Sequence, residues 1–116
     1  MKIEDQVCSL EHAVRLKELG VELESLWVHY RINGANAIFR GCSVTNAIVA
    51  PAYTVAELGE MLPDGNSTVE IHKDHCHAYF DRSVETYTAR TMAGAMAELL
   101  IWLIENGHVN VEELNK

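Results

Sequence analysis

The chain is short of positive charge. Nine Lys and Arg stand against 17 Asp and Glu, a formal net charge of −8. The basic residues are scattered, whereas phosphate contacts need them clustered. Direct nucleic-acid binding is therefore not expected, and the acidity suits a solvated surface or a basic partner. Long apolar runs are missing too. The longest, Leu99–Ile104, has six residues, where a membrane-spanning helix needs about 20. No membrane association is expected. The stretch MKIEDQVCSL carries no apolar signal segment, so export is not expected either.

Cysteine is sparse. Cys8, Cys42 and Cys76 are odd in number and widely spread, which does not make a disulfide framework. A reduced, cytoplasmic setting fits. The standard motifs of nucleotide, metalloprotease and EF-hand sites are absent. Gly41-Cys42-Ser43 is not a nucleophile elbow. Asn66-Ser67-Thr68 matches the glycosylation sequon, but without an export signal it reads as coincidence. Linker-like or low-complexity tracts are also lacking, so residues 1–116 are expected to form one domain.

What is present is mostly apolar periodicity. The 48% apolar content is ordinary for a globular domain. A helix is predicted over Ser9–Leu19, with Ser9 as N-cap and Gly20 as the left-handed stop. A second is predicted over Thr54–Leu62. There Thr54 and Glu57 have the spacing of a capping box, Tyr53 and Leu58 that of a hydrophobic staple, and Pro63 ends the helix before an Asp64-Gly65 turn. A third is predicted over Met92–Asn106, capped by Thr91 and stopped by Gly107. Its apolar residues run nearly all round: Met92, Met96, Leu99, Leu100 and Leu103 on one side, Ala97, Ile101 and Ile104 on the other. Glu98 and Glu105 alone mark a clear polar stripe. Such a helix is buried on more than one side, at the centre of the domain or at a subunit interface.

The strands read as hairpins. Asn33-Gly34 within LWVHYRINGANAIFR specifies a type I′ turn that pairs Ile32 with Ala35, Tyr30 with Ala37 and Val28 with Phe39. One face would carry Leu26, Val28, Tyr30, Ile32, Ala35, Ala37 and Phe39. The other would carry Trp27, His29, Arg31, Asn36, Ile38 and Arg40. A second hairpin is predicted from strands near Thr68–His72 and Cys76–Asp81. An even-length loop keeps Val69, Ile71, Cys76, Ala78 and Phe80 on one face. His72 and His77 then share the opposite face as a directly opposed pair, beside Glu70 and Tyr79. Another strand, Val84–Ala89, follows a turn at Asp81-Arg82-Ser83. The order α-β-β-α-β-β-β-α, with short connections between strands, implies an α+β fold: an antiparallel sheet of about five strands with three helices mainly on one face.

The residues that could carry chemistry lie in IHKDHCHAYF. His72 and His77, with Glu70 or His75 as a further ligand, are a candidate zinc site. The H-x₂-H-C-H spacing matches no standard zinc pattern, and an exposed hairpin tip, or adventitious zinc or nickel capture, is the competing reading. No catalytic residue and no other cofactor are assigned. A thiol enzyme would need Cys8, Cys42 or Cys76 beside a histidine in space, and buried cysteine acting as a small apolar residue is the default. Trp27, near Arg31 and Arg40, could anchor a protein partner, unless a helix or an unpaired segment such as Asn46–Pro51 covers it. Ile101 and Ile104 could do the same in a homodimer.

Three segments, CSLEHAVRLKELGVELESLW, YTVAELGEMLP and AMAELLIWLIENG, together resemble a group of short proteins encoded by phages, prophages and gut-bacterial genomes. They are helix cores and caps, and the histidine cluster lies outside them. The resemblance implies a mobile-element origin and a cytoplasmic location in a bacterial host, and it carries no catalytic residue. Taken together, the sequence points to a small acidic interaction or accessory module. The alternative is a metal-binding protein or metal-dependent enzyme using the His72/His77 hairpin face.

Overall fold

The computed structural model describes residues 2–40, 48–63, 67–80 and 86–116. Its helices begin where side chains satisfy the N–H groups that a helix start leaves open. After a single turn, α1 (Ile3–Gln6), helix α2 (Leu10–Glu18) starts at Ser9, whose Oγ accepts from His12 N at 3.2 Å. Gly20 takes the left-handed φ of +100° just beyond its end. Helix α3 (Val55–Met61) has the full capping box: Thr54 Oγ1 accepts from Glu57 N, and Glu57 Oε1 accepts from Thr54 N. Both staple residues, Tyr53 and Leu58, are buried.

Helix α4 (Met92–Glu105) starts at Thr91, whose Oγ1 accepts from Gly94 N at 3.0 Å. It is the axis of the core. Ala93 through Ala97, Leu99, Leu100 and Leu103 are all buried, and α1, α2 and α3 pack against it as well as strands. Most of its apolar residues are thus covered within one chain, while Ile101, Trp102 and Ile104 stay half-buried. Ile101 and Ile104, expected at a contact surface, are half-buried against the core cluster. A last turn, α5 (Val111–Leu114), is pinned by Asn115, which accepts from Glu22 N and donates to the Gly20 carbonyl, both at 2.8 Å.

The strands form two sheets rather than one. Strands β1 (Trp27–Ile32), β2 (Ala35–Arg40) and β3 (Ile48–Pro51) make an antiparallel sheet of order β2-β1-β3. Strands β4 (Ser67–Ile71), β5 (Cys76–Phe80) and β6 (Tyr87–Ala89) make another, of order β4-β5-β6. The expected single sheet of about five strands with three helices is therefore corrected to two three-stranded sheets and five helices among the described residues. The physical reason lies in α4. A helix apolar on all sides needs cover on more than one side, and β4-β5-β6 covers one side while α2 and α3 cover another. The first sheet joins through β3, which packs on α2.

The first hairpin has the register that the alternation specifies, with Val28 opposite Phe39 and Tyr30 opposite Ala37. Asn33 and Gly34 both have positive φ, 52° and 79°, as a type I′ turn requires. Its faces are less cleanly divided than expected. Val28 and Tyr30 are buried, yet Leu26 is 63% and Phe39 48% exposed, while His29 on the opposite face is buried at 4%. Among the described residues, the cover reaches β1 and stops there. The substantial contacts of β2 are with β1, whereas His29 lies under the chain before α2. The segment Asn46–Pro51 is not unpaired: its described part is β3. The expected strand Val84–Ala89 is described only from 86 onward, as β6. Cys42, the Asp64-Gly65 turn and the Asp81-Arg82-Ser83 turn lie outside the described residues, as does Asn66 of the sequon.

Candidate metal centre

The second sheet has two unlike faces. Cys76 and Ala78 of β5, with Val69 of β4 and Tyr87 and Ala89 of β6, belong to the core that surrounds α4. The other face carries Thr68, Glu70, His77, Tyr79 and Thr88, all exposed or half-buried. This split follows from the period of two along a strand. The loop between β4 and β5 has four residues, 72–75, and is closed by His72 N donating to the His75 carbonyl at 2.9 Å. This is the even-length loop that the apolar alternation implies. The directly opposed pair of His72 and His77 is corrected: His77 faces Glu70 on β4 and Thr88 on β6, and His72 belongs to the loop. Strand β4 ends at Ile71, one residue before the expected His72, while β5 begins at Cys76 as expected, so the turn takes His72 out of the ladder.

The loop nevertheless brings three imidazoles together. His72 and His75 stack at 4.7 Å between ring centroids, and His77 lies edge-on to both, at 4.9 and 4.7 Å. One nitrogen from each ring falls within 4.8 Å of the others. Zinc bonded at about 2.0–2.1 Å would draw tetrahedral ligands to about 3.4 Å apart. Loading therefore tightens the cluster, which the loop histidines, exposed His72 and half-buried His75, can do by small side-chain rotations.

Neighbouring groups already orient the rings. His75 Nδ1 donates to Asp74 Oδ1 at 2.7 Å, and His77 Nδ1 meets Thr88 Oγ1 at 2.7 Å. Bonding the second nitrogen in this way fixes which nitrogen is free for a metal; here Nε2 of both rings is left. The His75 bond holds the Asp74 carboxyl below its ordinary value, the Coulombic attraction of the ring adding to it. His72 Nε2 lies 3.8 Å from Glu70 Oε2, and Tyr79 Oη donates to Glu70 Oε1 at 3.5 Å. Glu70, a candidate ligand by sequence, is thus beside the cluster. Asp74 and Thr88 are additions that the sequence reading did not reach. The pairing of His77 with Thr88 depends on where β6 docks, which no local pattern encodes.

The ligand set is three imidazoles with carboxylates nearby. That chemistry suits zinc, nickel or copper and not magnesium or calcium, which take oxygen ligands. Cys76 cannot contribute from this face, since its side chain is buried on the other. A cleft of about 620 Å³ opens at the same hairpin end, bordered by Ile71, His72, Cys76, Val55, Met92 and Arg90. Ile71 stands there 69% exposed, overhanging the edge of the core instead of entering it. The cleft's Arg90 is paired with Asp5 at 3.1 Å.

Other candidates fare less well. Burial pushes the Cys8 thiol up to about 11, far from the depressed values of reactive thiols. Its neighbouring histidine, His29, bonds the Cys8 carbonyl and leaves the sulfur unactivated. Trp27 is half-buried, while Arg31 and Arg40 are exposed, Arg31 bonding Asn36 across the hairpin. Glu98 and Glu105 are taken up by α2 through His12 and Arg15. Among the described residues, no helix is long and apolar enough to cross a membrane. No protein-family model matches the chain, and no curated protein or solved structure matches it either.

Proposed function

We propose that this protein is a metal-binding module that holds a divalent transition-metal ion on the open face of its second sheet. The observation that carries the reading is the convergence of His72, His75 and His77, one nitrogen of each within 4.8 Å of the others. The bonds of His75 and His77 to Asp74 and Thr88 hold their Nδ1 atoms and leave Nε2 open. Native mass spectrometry of untagged protein, purified without metal resin and then given zinc, tests it. One zinc per chain is expected, lost in the His72→Ala/His77→Ala variant with the fold retained. An apo spectrum at excess zinc would end the reading. The likeness to phage and prophage proteins concerns origin and supplies no ligand.

A second reading, self-association through β2, is favoured by Leu26 and Phe39. They share one face by alternation and stand exposed, Leu26 just before β1 and Phe39 on β2. An edge strand beside such residues can pair with the same strand of a second copy. Sedimentation of wild type and Phe39→Ser decides it: a dimer that the substitution dissociates supports this reading, and a monomeric wild type removes it.

A further inference from the structure

We infer that Glu70 is the fourth ligand of the ion, so that the site is closed, four-coordinate and structural in kind, with no position for a reacting water. The inference rests on the metal-binding reading above and adds what completes the coordination shell.

The register places Glu70. It is the direct partner of His77 across β4 and β5, and directly opposed side chains have Cβ atoms about 4.5–5.5 Å apart on one face. Its two oxygens have different neighbours. Oε1 accepts from Tyr79 Oη at 3.5 Å, and Oε2 lies 3.8 Å from His72 Nε2. That distance is too long for a hydrogen bond. It is short enough for both atoms to reach one ion, because two ligands at about 2.0–2.2 Å from zinc stand about 3.4 Å apart. His72 also differs from the other two histidines. His75 and His77 each have Nδ1 engaged, by Asp74 and Thr88. For His72 the neighbouring carboxylate stands at Nε2, so an ion between them would bind both.

Charge favours the same arrangement. Three neutral imidazoles leave a zinc ion with its full double charge, and a directly bound carboxylate removes half of it. Asp74 is directed to the outer nitrogen of His75, where it orients that ring and does not bind metal. Glu70 Oε2 stands 3.8 Å from His72 Nε2 but outside the group of three converging nitrogens, so loading has to draw it inward. A closed set of four protein ligands is the pattern of structural zinc, whereas catalytic zinc keeps one position for water.

Cobalt(II) as the probe separates the outcomes, since its visible absorption reports coordination and an open position accepts azide. In the wild type, the cobalt spectrum should appear at one equivalent and stay unchanged when azide is added. In Glu70→Ala, circular dichroism should show an unaltered fold, cobalt should bind at least about tenfold more weakly, and azide should shift the spectrum. Two results overturn the inference while leaving the metal site standing: a wild-type spectrum that shifts with azide as the variant's does, or a Glu70→Ala affinity equal to wild type. Absence of a histidine-dependent cobalt spectrum in the wild type would remove both the site and its fourth ligand. The His72→Ala/His77→Ala protein is the control that identifies that case.

Discussion

His29 Nε2 lies 2.9 Å from the carbonyl oxygen of Cys8, tying the middle strand of the first sheet to the chain just before α2. His29 is the one buried polar side chain among the described residues. Burial lowers its pKa from the ordinary 6.5, and the bond to Cys8 opposes that shift more weakly. The folded protein therefore keeps His29 neutral at a pH where the unfolded chain protonates it. Above 6.5 the residue adds no pH dependence; below it the unfolded state binds more protons and stability falls with pH. His29→Gln keeps a donor and does not titrate. Urea unfolding at about pH 7.5 and about pH 5.5 should show a smaller acid loss for the variant than for wild type. Parallel losses in the two proteins would mean that other groups set the acid sensitivity.

Much of this arrangement is legible in the sequence. Thr54, Glu57, Tyr53 and Leu58 act within one helical turn, and Asn33-Gly34 within one reverse turn, so local chemistry fixes them. The even loop 72–75 follows from keeping Val69, Cys76 and Ala78 on the core side. Cover at a distance is what local pattern leaves open. Alternation cannot say that, among the described residues, the layer over the first sheet stops at β1, with Phe39 open and His29 buried. Nor can it say that the strands sort into two sheets, of which the second packs on α4. The candidate site divides in the same way: its histidines are near neighbours in sequence, while Thr88 reaches His77 only because β6 docks on β5.

Thr88 should act as a positioning residue for the metal. Its Oγ1 holds His77 Nδ1 at 2.7 Å, and loss of such an outer partner typically weakens metal binding by about 10–100-fold. Thr88→Val keeps the β-branched shape on an exposed strand position. Competition titration with a chromophoric chelator should show zinc affinity falling within that range. Apo stability should stay within about 0.5 kcal/mol of wild type. An unchanged zinc affinity would show that His77 is oriented by its backbone and rotamer alone.

Helix α4 carries an exposed charged stripe that meets α2 and a buried apolar side, and the two should differ in weight. Arg15 meets Glu105 at 2.9 Å and His12 meets Glu98 at 3.3 Å, but the Arg15 and Glu105 side chains are 43% and 42% exposed. Exposed pairs of this kind contribute little, because solvent and salt screen them. Leu100 is fully buried, and truncating such a residue to Ala costs about 2–5 kcal/mol. Chemical denaturation should therefore place Arg15→Ala close to wild type and Leu100→Ala far below it. A large effect of Arg15→Ala that disappears at high salt would instead make the glutamate stripe of α4 a main determinant of packing.

Glu57 should matter more than a capping residue usually does, because its carboxylate serves two elements. Oε1 accepts from Thr54 N at 2.8 Å, closing the start of α3, and from Ser25 Oγ at 2.7 Å, in the segment leading into β1. Ser25 in turn accepts from Trp27 N at 3.2 Å. Loss of the Thr54 side-chain cap alone is expected to cost about 1 kcal/mol. Glu57→Ala removes the charged acceptor of two donors and should cost about 2 kcal/mol or more. A double-mutant cycle with Ser25→Ala isolates the shared part. Residues bonded in one network couple by about 0.5–3 kcal/mol, and a coupling in that range would show that the start of α3 positions the entry to β1. A coupling near zero would mean that water replaces the serine hydroxyl at little cost. The first sheet would then be held in place by its Cys8–His29 and Trp27–Ala52 bonds, independently of α3.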